Sequence, residues 1–125
     1  MDLGLKDKIA FVAAASRGLG AATARQLASE GAKVAINSRD ASKLAATAES
    51  IRKDSGAQVI AIPGDVTSPA DIERMIGETV KQFGGLDILV TNSGGPPAGR
   101  FDDFDDEAWR KATDLMIMCA VRLIR

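Results

Sequence analysis

The sequence predicts an α/β fold: a doubly wound parallel sheet with helices packed on both faces. Three observations predict it. Four short apolar runs, at residues 9–14, 34–37, 59–62 and 88–90, are too brief and too rich in β-branched residues to favour helix. None alternates apolar with polar residues, the pattern of strands buried on both faces. Their first residues, Ile9, Val34, Val59 and Ile88, stand 25, 25 and 29 positions apart, room each time for a crossover helix.

The intervening segments have helical period. After the first run, Leu19, Thr23, Leu27 and Ala28 form a stripe ahead of Gly31. After the second, Leu44, Ala48 and Ile51 do the same between Asp40 and Ser55, and Gly56 closes the helix. After the third, Ile72, Met75, Ile76, Thr79, Val80 and Phe83 recur at three- and four-residue steps. Ser68 is placed to cap that helix, Pro69 to begin it and Gly84-Gly85 to end it. A last helix from about Asp105 carries Trp109, Ala112, Met116, Cys119 and Leu123 on one stripe. No glycine, proline or asparagine closes it before Arg125, and no further strand covers the fourth. Residues 1–125 are therefore expected to form one domain, a βαβαβαβα unit truncated from a longer protein.

Composition excludes several classes. With 46% hydrophobic and 26% charged residues, the chain is expected to be globular. Sixteen basic against seventeen acidic residues leave no basic excess for nucleic acid. The longest apolar run, residues 10–15, cannot span a bilayer, and the first residues lack a secretory pattern. Cys119, the single cysteine, has no internal disulfide partner, so a cytoplasmic setting is expected. The chain has no histidine and no tyrosine, which removes imidazole and phenolate catalysis from these residues. The acidic run 102–107 lacks the glycine and spacing of a calcium loop, and helix capping explains it; no metal is expected.

The chemistry begins between the first strand and first helix, at Ser16-Arg17-Gly18-Leu19-Gly20. Glycines there let the backbone approach a pyrophosphate, towards which the helix points free N–H groups and its positive end. The competing reading is a tight turn that binds nothing. Residues 12–20 resemble the Thr-Gly-x-x-x-Gly-x-Gly loop of the short-chain dehydrogenase/reductase family. Thr91-Asn92-Ser93-Gly94 is similar to that family's Asn-Asn-Ala-Gly, and Asp65-Val66 to its adenine-site dipeptide, although Asp65 taken alone reads equally as an N-cap-like turn acid. Three motifs in order span essentially the whole chain, which looks like the N-terminal half of that family's Rossmann-like fold.

The resemblance implies an oxidoreductase that moves hydride between a nicotinamide and a small-molecule carbonyl or secondary alcohol. Ala14, Ser16, Arg17, Gly18, Leu19, Gly20, Ser38, Arg39, Asp65, Val66, Asn92, Ser93 and Gly94 would hold the cofactor. The family's catalytic Ser and Tyr-x-x-x-Lys would lie beyond Arg125, so no catalytic residue is expected here, and the chain alone should bind dinucleotide weakly and oxidise no NADPH. A homo-oligomer, dimer or tetramer, is implied, paired through long helices such as the last one.

Departures from the family pattern are specific. Ala13-Ala14 stands where the family has Thr-Gly. If position 14 needs positive φ, alanine costs on the order of 1 kcal/mol; if not, it adds only a methyl near the cofactor ribose. Thr91 and Ser93 replace Asn and Ala. Met116, seven residues after Trp109, stands where the family usually has an active-site Asn, and a thioether cannot hold a relay water as an amide does. Cys119, on an apolar helical face, reads as a small hydrophobe rather than a nucleophile.

Charge favours NADP(H) over NAD(H). An acid at the end of the second strand would bind the ribose 2′-OH and repel a 2′-phosphate. Ser38 stands there instead, followed by Arg39, and Arg17 lies in the glycine loop. The competing readings are that Arg39 is a solvated surface residue with Asp40 only a helix cap, or that Asp40 is that acid displaced by one residue. An alternative function is a non-catalytic dinucleotide sensor or degenerate relative, motivated by Ala14, Thr91 and Met116. A phospho-receiver is discarded, because Ala13-Ala14-Ala15 stands where it needs acids.

Overall fold

Parallel pairing builds a single sheet in the computed structural model, which describes residues 1–125. Strands β1 (Ile9–Val12), β2 (Lys33–Ser38), β3 (Val59–Pro63) and β4 (Ile88–Val90) lie in the order β3-β2-β1-β4. Phe11 is level with Ala35 on one side and Leu89 on the other. The chain thus steps outward from β1 through β2 to β3, then crosses back to place β4 on the opposite side of β1. That reversal leaves the loops after β1 and β4 diverging, the position at which open α/β sheets form a crevice.

Helices α1 (Gly18–Ser29) and α2 (Ala41–Ser55) cover one face. Ala24, Ala28, Leu44, Ala48 and Ile51 pack there on Val12, Val34 and Ile36. Helix α3 (Pro69–Phe83) and the C-terminal helices cover the other, where Ile72, Met75, Cys119 and Leu123 meet Phe11, Ala35 and Ile62. Strands β1 and β2 are buried on both faces, which is why their sequence shows no alternation. No helix is long and apolar enough to cross a membrane. The predicted Ser68 cap forms, its hydroxyl accepting from the Asp71 amide, and of the two readings of Asp40 the helix cap is seen, its carboxylate accepting from the Lys43 amide.

Two predicted stripes are corrected. Along α1 the buried residues are Gly20, Ala24 and Ala28; of the expected stripe Ala28 is in the core and Leu27 packs against it, while Leu19 is 82% exposed and the Thr23 hydroxyl donates back to the Leu19 carbonyl. Small residues face the sheet because they let the helix axis approach it closely, so the larger Leu19 is left outside. The last helix is not one regular stripe. It runs as α4 (Asp106–Thr113), a π-helical turn (Asp114–Met118) and α5 (Cys119–Ile124). The extra residue in the π turn changes the phase. Trp109 and Met116 remain 48% and 50% exposed, whereas Cys119 and Leu123 are buried.

Strand β1 ends at Val12, two residues before the apolar run does. Ala13 then donates its N–H to the Val90 carbonyl and Ala15 to the Asn37 carbonyl, and between them Ala14 takes φ +50°. The first alternative for position 14 therefore holds: a left-handed residue is required, and alanine is strained there. Asn37, fully buried near the end of β2, has an amide that donates to the Ile62 carbonyl of β3 and the Gly64 carbonyl just past it, and lies 2.9 Å from the Met75 sulfur. One side chain thus satisfies the carbonyls where β3 ends.

Two stability changes are expected, both measurable by urea unfolding with unchanged m-value. Asn37→Ala should cost about 3 kcal/mol, since it orphans two carbonyls near the core. Ala14→Gly should raise stability by about 0.5–1 kcal/mol by releasing the left-handed strain, partly offset by chain entropy; a loss would contradict the strained conformation.

Candidate functional site

The carboxyl ends of all four strands open onto one cleft of 890 Å³. Its floor is the loop after β1. A Cβ on Gly20 would overlap the Ala14 carbonyl and stand 2.9 Å from the Asn92 amide nitrogen, so only glycine lets α1 approach this closely. Asn92, just past β4, donates to that same Ala14 carbonyl at 3.1 Å, and the Thr47 hydroxyl of α2 donates to the Ser16 carbonyl at 2.7 Å. Neighbouring elements therefore hold the loop from both sides. Gly18 lies at φ +60°. Arg17, at the N-cap of α1, makes no side-chain cap, and the first turn carries no acid, so its N–H groups and positive dipole end are left uncompensated.

The loop after β2 brings cations to the cleft. Arg17, Arg39 and Lys43 all line it, and none forms an ion pair with a carboxylate. Asp40, the nearest acid in sequence, is engaged in capping α2 through Lys43 N at 3.0 Å. The Ser38 hydroxyl donates to the Asp40 carbonyl at 3.3 Å.

After β3, the Asp65 carboxylate Oδ1 accepts from the Thr67 hydroxyl at 2.7 Å and the Thr67 amide at 2.9 Å. Those two bonds hold its carboxyl below the usual range; partial burial opposes them and the Arg39 charge adds to them. Asp65 is thus both a turn acid and an ionised wall of the cleft. Val66 is buried beside it. After β4, the Ser93 hydroxyl lies 3.6 Å from the Met116 sulfur, and Gly94 and Gly95 form the rim.

Of the residues expected from sequence, Ala14, Ser16, Arg17, Gly18, Leu19, Ser38, Arg39, Asp65, Val66, Asn92, Ser93 and Gly94 line this cleft, and Gly20 lies buried beneath it. Sequence reasoning missed Lys43, Asn37, Thr67, Lys111, Asp114 and Leu115, which line it as well. Helical phase would have found Lys43, one turn into α2 beside Asp40. A lone amide in an apolar run is the signal for Asn37. Lys111, Asp114 and Leu115 depend on the phase of the π turn, for which the sequence carries no sign. Elsewhere, burial raises the Cys119 thiol despite the nearby Arg122 charge, the behaviour of a packed hydrophobe. In the acidic run, Asp103 accepts from the Arg100 amide and Asp105 from the Ala108 amide, both as turn and helix caps.

Known proteins share this arrangement. The model of the short chain dehydrogenase family matches residues 8–125. Glucose 1-dehydrogenase from Gluconobacter oxydans is 37% identical over 123 residues, covering 91% of this chain and 46% of the relative. The crystal structure of L-sorbose reductase from Gluconobacter frateurii, complexed with NADPH and L-sorbose, superposes with a TM-score of 0.95 at 34% identity, over 100% of this chain and 48% of that one. An alcohol dehydrogenase from the archaeon Thermococcus sibiricus, complexed with 5-hydroxy-NADP, gives a TM-score of 0.89 at 26% identity over 95% of this chain and 51% of that one. The chain spans about half the length of these relatives. With the family model covering the chain from Lys8 to its last residue, and the glycine loop, strand order and cleft in place, the chain belongs to the short-chain dehydrogenase family.

Proposed function

We propose that this cleft binds NADP(H) and that the chain is the cofactor-binding half of an oxidoreductase acting on a carbonyl or secondary alcohol. The observation that carries the reading is the set of three unpaired cations, Arg17, Arg39 and Lys43, in a cleft whose neighbouring acid, Asp40, is engaged as a helix cap. An uncapped α1 N-terminus above a Gly20 cradle suits a pyrophosphate. The NADPH in the L-sorbose reductase structure supports the same preference.

In this reading Ser16, Gly18, Leu19 and Gly20 hold the pyrophosphate, with Ala14 presenting its methyl to the adjoining ribose. Ser38, Arg39, Arg17 and Lys43 bind the 2′-phosphate. The Asp65 carboxylate accepts from the adenine amino group while Val66 packs on the ring. Asn92, Ser93 and Gly94 line the nicotinamide end. When bound, the cofactor supplies or accepts hydride. These residues bind, orient and exclude water; none is an imidazole or a phenol, and the proton for the substrate oxygen is assigned to none of them. A Ser and a Tyr-x-x-x-Lys in the remaining length would supply it. A cytoplasmic homodimer or homotetramer completes the reading.

A second reading, a dinucleotide sensor without turnover, is supported by Met116, whose sulfur rather than an amide meets Ser93. NADPH-dependent reduction of a panel of aldehydes, ketones and ketoses by the full-length protein separates the two; binding without any turnover favours the sensor.

Cofactor preference is tested by titrating NADPH and NADH into single variants. Arg39→Ala should weaken NADPH about ten- to a hundredfold and NADH about twofold or less. Lys43→Ala should weaken NADPH about three- to tenfold and flatten its salt dependence. Equal losses for both cofactors would contradict a 2′-phosphate site at these cations.

A further inference from the structure

The π turn aligns two residues that a regular helix would separate. In an α-helix, residues eight apart stand about 80° apart around the axis, and residues seven apart about 20°. A π turn holds one more residue than an α turn, so across Asp114–Met118 positions eight apart are brought to one face. Asp114 and Arg122 are eight apart, and Arg122 Nη2 lies 3.5 Å from Asp114 Oδ1.

The other end of the same guanidinium reaches a different element. Arg122 Nη1 donates to the Thr67 carbonyl at 3.2 Å, from a side chain only 20% exposed. Thr67 in turn donates its amide and hydroxyl to Asp65 Oδ1, and Asp65 Oδ2 takes no hydrogen bond within the chain. Asp65, Thr67 and Asp114 all line the cleft, whereas Arg122 stands behind its wall. A planar guanidinium can satisfy a carbonyl and a carboxylate together, which a lysine ammonium does less well.

We propose that Arg122 is a positioning residue for the adenine end of the cleft, holding Thr67, and through it Asp65, against the rod formed by α4, the π turn and α5. The proposal rests on the reading that the cleft binds a dinucleotide. It adds that the helix bearing Asp114 and Leu115, beside the Gly94-Gly95 rim, is tied to the opposite end of the cofactor site. Without the guanidinium the Thr67 carbonyl loses its tether to the rod, and the Asp65 turn is held only by its own bonds to Thr67, Ser68 and Asp71, which leaves the carboxylate less firmly placed.

The test uses the full-length protein and its Arg122→Met and Arg122→Lys variants, Met keeping the aliphatic stem. Two probes separate the ends of the cleft: adenosine 2′,5′-bisphosphate and reduced nicotinamide mononucleotide. Arg122→Met should raise the Kd of the adenosine probe about five- to tenfold and leave the nicotinamide probe within about twofold, with Arg122→Lys between wild type and Met. Hydrogen exchange at the amides of Thr67 and Ser68 should accelerate while that of α2 amides does not. Unchanged adenosine-probe affinity in a folded Arg122→Met protein, or equal weakening of both probes, overturns the proposal. If Arg122→Met does not fold, Arg122→Lys decides by the same criteria. A wild-type protein that binds neither NADPH nor the adenosine probe overturns the dinucleotide reading itself; a wild type that binds both, with indifferent variants, overturns only the role of Arg122.

Discussion

The carboxyl edge of the sheet depends on one close approach, that of Gly20 to the Ala14 carbonyl. No side chain fits between them. The contact sets how near α1 comes to the end of β1, and so where the helix aims its free N–H groups. The same carbonyl takes the Asn92 amide from the far side of the topological switch, which joins β4 to the loop. Ala14 must be left-handed for its carbonyl to face both, and the fold tolerates an alanine there at a cost on the order of 1 kcal/mol. Strain kept at this point, rather than relieved by glycine, is of the kind found at functional sites.

The rest of the cleft is organised by polar groups that serve backbone first. Asn37 satisfies the carbonyls where β3 ends, Thr47 holds the Ser16 carbonyl, and Asp40 caps α2. Each such engagement leaves another group free. Asp40 caps α2 through Oδ1 alone and itself lines the cleft, and neither it nor another carboxylate pairs with Arg17, Arg39 or Lys43. With Thr67 on one oxygen of Asp65, the other remains open. The loop backbone held by these bonds loses little entropy when a ligand arrives, whereas the exposed Arg17, Arg39 and Lys43 side chains still give up rotamer freedom.

What could be read from the sequence follows from the range of the interaction involved. Local rules located the strands, the cap at Ser68 and the glycine loop, because each depends on a few neighbouring residues, while Asp40 stayed open between a cap and a cofactor acid. Most residues expected to hold the cofactor stand at strand ends, and strand order alone brings those ends to one cleft. Two features escaped. The buried face of α1 runs through Gly20, Ala24 and Ala28 rather than Leu19 and Thr23, because tight helix–sheet packing prefers the small residues over the more hydrophobic ones. The phase change at Asp114–Met118 has no local marker, so the expected stripe through Trp109 and Met116 is split, and Lys111, Asp114 and the Arg122 bridge stayed hidden.

The central claim is that the loops at the carboxyl edge form one dinucleotide site. Amide chemical shifts of isotopically labelled protein, followed during an NADPH titration, test it most directly. Saturable shifts should concentrate at residues 14–20, 38–43, 65–67 and 92–94, with the outer faces of α2 and α3 unmoved. No shifts at millimolar NADPH, or shifts confined to the exposed Phe101–Trp109 surface, would contradict it.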